Sequence, residues 1–129
     1  MNEKGHDRTT ICLAVVLAAT TIFMSFHLAF CLLASFLFSG FMFNGDLDCW
    51  SAPTRRWGIL HWLWWPYRKI CKHRGASHWP VVGTLGRLLY VSPVLILLFP
   101  FYKPEMLEIF FILAGLELGA LSHIMADEM

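Results

Sequence analysis

Between Thr9 and Gly45 the chain has no Asp, Glu, Lys or Arg, a gap of 37 residues. That excludes the ordinary amphipathic helix of a soluble domain, which turns a charged face to water. A second absence follows. From Cys49 to Arg87 there is no acidic residue, but there are seven basic ones: Arg55, Arg56, Arg68, Lys69, Lys72, Arg74 and Arg87. A basic block can mark a nucleic-acid partner. Set between apolar segments, this one reads as a cytoplasmic loop under the positive-inside rule, and no nucleic acid is expected. The four cysteines (Cys12, Cys31, Cys49, Cys71) form no CxxC and no disulfide framework. Charge is scarce throughout, at 15% against 57% hydrophobic residues. A soluble domain carries about 25% charged and about 45–50% apolar residues. Internal repeats and low-complexity tracts are absent, and 129 residues suffice for a single domain.

What is present points to an all-α integral membrane bundle of about four transmembrane segments. The charge-free run would span ~55 Å as one helix, against a hydrocarbon core of ~30 Å. A hairpin over 10–43 fits better, with legs near 10–25 and 28–43 and a turn at Ser25-Phe26-His27. One long tilted helix is the competing reading. The charged residues before the run, and its length, indicate an anchor and not a cleaved signal. After a polar loop, GDLDCWSAPTRRWG, comes an aromatic and basic stretch. All six tryptophans fall between Trp50 and Trp79. Trp and Tyr favour the headgroup zone, so residues 57–72 are predicted to form an interfacial helix bent at Pro66. The third segment is 81–102, with Arg87 snorkelling near its start and a kink at Pro93. The fourth is 106–125, where Gly115 and Gly119 form a small-xxx-small pair that offers a close helix contact or an oligomer interface.

Four crossings return the chain to its starting side twice, which places several polar groups at one face. GDLD offers Asp46 and Asp48, hard oxygen donors that converge in a turn and diverge in a strand. KHRGASH offers His73 and His78 around Gly75, with Arg74 available for an anion and Ser77 for a supporting hydrogen bond. SHIMAD offers His123 and Asp127 at i, i+4, on one helix face. GHDR offers His6 and Asp7. Each has a plain alternative: a solvated loop, an interfacial basic loop, a helix-end pair, a disordered tail. Glu117 sits inside an apolar segment, which invites a pairing partner. It points ~120° away from His123 and is not placed among the ligands. His27 and His61 read as interfacial. Together the imidazoles and carboxylates make a set suited to zinc, or to manganese or iron, with room for two ions.

In order, GHDR, GDLD, RRWG, WWPYRK, HRGASHWPVVGTLGRLLY and GLELGALSHIMAD resemble the motifs of a bacterial family of metal-binding membrane proteins of unknown function. That family is itself similar to YdjM-like, LexA-regulated, predicted membrane-bound metal-dependent hydrolases. The resemblance spans nearly the whole chain, and HRGxSH with the following PxxGTxxR is its most specific part. It implies that His6, Asp46, Asp48, His73, His78, His123 and Asp127 are the metal-binding positions. Two departures stand out. Gly45 replaces the proline usual before DLD. The chain also stops at Met129, where relatives continue with a polar tail, so a short member or a truncated product is expected.

Two functional readings follow. In the first, a multi-pass inner-membrane protein holds a divalent metal, zinc before manganese or iron, at a cytoplasm-facing site. It hydrolyses an ester or phosphoester near the lipid headgroups, with Arg74 on the substrate's anionic group. In the second, the protein is non-catalytic, structural or interacting, with a basic lipid-binding loop. Membrane lipids are the expected partners in both.

Overall fold

A computed structural model describes residues 3–71 and 75–128; Lys72, His73 and Arg74 lie outside them. Among the described residues there is no strand, and the architecture is all-α. The helices are α1 (Glu3–Thr20), α2 (Phe26–Met42), α3 (Ala52–Arg56), α4 (Trp65–Ile70), α5 (Val82–Leu98) and α6 (Met106–Glu128).

The charge-free run folds as the hairpin and not as one long helix. Thr20 and Thr21 donate their hydroxyls to the carbonyls of Leu17 and Ala18, at 2.7 and 2.8 Å. Such local bonds compete with helix continuation. A single 3₁₀ turn, Thr21–Phe23, follows, and Met24 is extended at φ −91°, ψ 157°. The bend thus lies one or two residues ahead of its expected place. At the far end of the bundle, His27 pairs with Glu108, which also accepts from the Tyr102 hydroxyl.

α2 and α6 form the central contact. A Cβ on Gly115 would collide with the Ser35 hydroxyl and the Leu32 carbonyl, and one on Gly119 with the Phe36 carbonyl. Ser39 Oγ crosses the interface to donate to Leu116 O at 2.6 Å. The close approach expected of the two glycines is therefore made to α2 of the same chain. Both are buried there and neither faces outward toward a second copy. α1 lies against this pair, with buried Thr10 pressed onto Gly40.

Among the described residues, two helices are long and apolar enough to cross a membrane, spanning Lys4–Phe23 and Met106–Glu128. α2 and α5 are apolar but shorter, at 17 residues each. They rise about 25 Å, short of a ~30 Å hydrocarbon core. Of the four expected spans, two thus have sufficient length and two do not. α5 runs through Pro93, and the Leu89 carbonyl that a residue-93 amide would have satisfied accepts from Ser92 Oγ at 2.7 Å. Between α5 and the α2–α6 pair runs an apolar groove of about 810 Å³, walled by Phe38, Trp57, Val91, Leu95, Ile112 and Leu116.

The Trp-rich stretch is not one bent interfacial helix. It breaks into α3, a 3₁₀ segment over Gly58–Trp64, and α4. Gly58 supplies the first break at φ +56°, a conformation that L side chains rarely adopt. Pro66 lies in the first turn of α4 instead of bending a longer helix, since that turn tolerates a missing N–H. The reason for the fragmentation is burial. Trp64 and Tyr67 turn inward to pack with Phe43, Leu47 and Leu116, while Trp50, Trp62 and Trp79 stay exposed. Arg87 does not snorkel either: it is 1% exposed and lies over the Phe43 ring.

Candidate metal centre

The loop after α2 is fixed by its own polar groups. Asn44 closes α2 by donating from Nδ2 to Gly40 O at 2.9 Å, and its Oδ1 accepts from the amide of Asp46 at 3.2 Å. One side chain thus ends a helix and starts the 3₁₀ turn Gly45–Asp48. The Asp46 carbonyl accepts from Ser51 Oγ at 2.7 Å, and Thr54 Oγ1 donates to Cys49 O at 2.7 Å. RRWG ties this knot to α1 and α2. Arg56 reaches Phe41 O and Asp7, Trp57 Nε1 reaches Met42 O, and cationic or N–H donors at a helix C-terminus satisfy its free carbonyls. Asp7 is therefore held by Arg56.

HRGASH and PxxGTxxR form one structural unit in their described part. Gly83 packs so close beneath Ser77 O that a Cβ there would collide with it. Arg87 donates to Ser77 O at 2.9 Å and to Thr84 Oγ1 at 3.2 Å. Val81, at φ +62°, makes the tight turn into α5, and Glu117 Oε1 accepts its amide at 2.8 Å. The carboxylate inside α6 thus has its partner. The result is a rigid platform for His78, whose ring lies flat on Gly45: a Cβ there would sit 3.0 Å from three ring atoms.

Four of the expected residues converge. Asp46, His78, His123 and Asp127 each offer a ligand atom within 4.8 Å of the others. His78 Nε2 lies 3.3 Å from Asp46 Oδ1 and 4.0 Å from Asp127 Oδ2. His123 Nε2 lies 3.3 Å from Asp46 Oδ2 and 3.6 Å from Asp127 Oδ2. Asp46 thus faces both imidazoles, one oxygen to each. His6 stands beside this group, stacked on His123 with ring centroids 4.6 Å apart and Nε2 3.2 Å from Asp127 Oδ1. Asp48 lies on the opposite edge of His78, 3.6 Å from Nδ1. His73 and Arg74 fall outside the described residues.

The donor set fits a divalent cation. His123 Nε2 is buried among carboxylate oxygens without a hydrogen-bond partner among the described residues. Two imidazoles and two carboxylates suit zinc, and also manganese or iron. Burial alone would raise the Asp46 carboxyl. The imidazoles of His123 and His78, each 3.3 Å from one of its oxygens, outweigh it and hold the group well below the usual carboxylate range. Hydrogen bonds to Asp46 and then Asp48 push His78 up to about 9. Without metal, this cluster is an ion network. Burial, then the charges of Asp46 and Asp48, raise the Cys49 thiol to about 11, which keeps it protonated at neutral pH and unlike a thiolate ligand.

Comparison with known proteins extends this geometry. The family model described as Uncharacterized metal-binding protein (DUF2227) matches residues 2–107. The chain belongs to this family. The match contains His6, Asp46, Asp48 and His78 and ends before His123 and Asp127, which α6 brings to the same place. A relative described as an uncharacterized protein of Aquifex aeolicus (strain VF5) is 40% identical over 57 residues. That stretch is 43% of this chain and 40% of the relative, so the chain matches less than half of that protein's length. No solved structure matches. The DUF2227 family is thus the metal-binding one expected from the motifs; neither match speaks to YdjM-like hydrolases.

Sequence reasoning named the four residues that converge but missed their supports. Asn44, Thr84 and Arg87 decide where Asp46 and His78 stand. The signal was present in the spacing of GTxxR, one helical turn from Thr84 to Arg87, but an arginine near the start of an apolar helix reads equally as a snorkelling side chain.

Proposed function

We propose that the protein binds one divalent cation, zinc before manganese or iron, through Asp46, His78, His123 and Asp127, with His6 supporting Asp127. The carrying observation is the convergence of four ligand atoms from three separate stretches of chain. Within this reading, Asp46 bridges the two imidazoles in the metal-free state and turns its oxygens to the cation when one is bound. His123 supplies a buried nitrogen that lacks a hydrogen-bond partner among the described residues.

A membrane setting belongs to the same proposal. Four helices would lie in the inner membrane with the site at the cytoplasmic face. Support comes from the two helices of sufficient length, the largely exposed Phe23, Phe26, Leu89 and Phe101, and the basic block at the site end.

A bound cation of this kind supplies Lewis acidity toward an ester or phosphoester. Four protein donors complete a tetrahedral zinc shell, the pattern of a binding site, whereas hydrolysis needs an open position. The non-catalytic reading is therefore ahead of the hydrolase for zinc, and a six-coordinate metal would restore the hydrolase.

Elemental analysis of the detergent-purified protein tests this. About one metal per chain is expected, falling to background in His123→Ala and Asp46→Ala with the helix content retained. Folded wild-type protein that takes up no zinc, manganese or iron would refute the proposal.

A further inference from the structure

Asp48 is the same residue type as Asp46, two positions on, yet it serves a different part of His78. Its side chain is fully buried, with Oδ2 3.6 Å from Nδ1, the ring nitrogen turned away from Asp46. The same oxygen accepts the Ser77 hydroxyl, and Ser77 Oγ lies 3.3 Å from Nδ1. Among the described residues, Asp48 is outside the set of converging ligand atoms. Behind it, Arg87 holds the Ser77 carbonyl at 2.9 Å and is itself 1% exposed.

Burying a carboxylate is costly unless it is hydrogen-bonded, and packing alone would accept an apolar side chain here. A neutral imidazole has one N–H and one lone pair, and the bond made by one nitrogen decides which is which. The Ser77 hydroxyl gives its proton to Asp48 and so offers Nδ1 a lone pair; with the Asp48 charge 3.6 Å away, this keeps the imidazole proton on Nδ1. The lone pair then lies at Nε2, the atom that faces Asp46 and Asp127. A carboxylate behind a ligating histidine also fixes the ring's orientation and raises its basicity as a donor.

We propose that Asp48 is a positioning residue and not a metal ligand: with Ser77 it holds the Nδ1 proton of His78 and so aims Nε2 at the cation. This rests on the metal-binding reading above. Cobalt(II) is a suitable probe, because its visible bands report the ligand set while titration reports affinity. Wild-type protein should bind one cobalt per chain. Asp48→Asn should keep the stoichiometry and the bands while affinity falls about 10–100-fold. Asp46→Asn, by contrast, should change the bands. Ser77→Ala removes the hydroxyl that links Nδ1 to the carboxylate and should also weaken binding, again with the same bands. It decides the matter if Asp48→Asn does not fold. Bands altered in Asp48→Asn as in Asp46→Asn would make Asp48 a ligand and overturn the proposal. Unchanged affinity in Asp48→Asn, or in Ser77→Ala where only that variant folds, would reduce Asp48 to packing. Wild-type protein without cobalt bands would overturn the metal-binding reading itself, and this inference with it.

Discussion

His78 joins the protein's charge state to the proposed metal site. With its pKa raised to about 9, it is protonated in the metal-free protein at neutral pH. A cation at Nε2 must displace that proton, because metal and proton compete for the same lone pair. The sign follows directly: affinity should rise about tenfold per pH unit below about 9 and level off above it, where no proton remains to be released. Competition titrations with a chromophoric chelator at several pH values measure this slope, and a flat profile would exclude His78 as a ligand. At this scale the sequence showed which residue types matter but not how neighbouring ones divide the work. GDLD left Asp46 and Asp48 equivalent. The 3₁₀ turn separates them, since two residues at ~120° each leave the side chains roughly 120° apart. One faces the cluster and the other goes behind His78. The turn type depends on Asn44, whose double bonding is not written in any periodicity.

Helix packing brings the distant ligands to one end. His123 and Asp127 stand near Asp46 because α6 lies directly on α2, and it does so because Gly115 and Gly119 present no side chain. Gly115→Leu should force the two helices apart. Overpacking of this kind costs about 1–3 kcal/mol, and the displaced α6 should weaken metal binding as well as stability. Chemical denaturation in detergent, followed by circular dichroism, would show the loss; unchanged stability would place the α2–α6 contact elsewhere. The hairpin over 10–43 was legible because a bilayer limits the length of a charge-free helix. The small-xxx-small pair was legible as a close contact, although its partner proved to be in the same chain. The Trp-rich stretch was misread because composition reports preference for an interface, not which tryptophans turn inward. Trp64 and Tyr67 join the core of Phe43, Leu47 and Leu116, and the stretch meets that core as a 3₁₀ segment followed by a short α-helix.

Across the whole molecule, chain order alone predicted that His6, GDLD, GASH and the end of α6 meet. The structure gathers them at one end of the bundle, with His27, Tyr102 and Glu108 at the other. If the bundle lies in a bilayer as proposed, reporters fused before Glu3 and within Ser51–Trp65 must report the same compartment, and reporters at 101–104 the opposite one. A split between the first two would remove His6 from the site. The burial of Arg87 lay beyond this reasoning, because parity places segments and not side chains. The central claim is that two imidazoles and two carboxylates hold one cation. X-ray absorption at the zinc edge, on detergent-purified protein loaded with one equivalent of zinc, tests it most directly. The expected shell has four nitrogen and oxygen donors at about 2.0–2.2 Å, two of them imidazole, with one imidazole lost in His123→Ala. Sulfur donors at about 2.3 Å, or a shell that His123→Ala leaves unchanged, would contradict it.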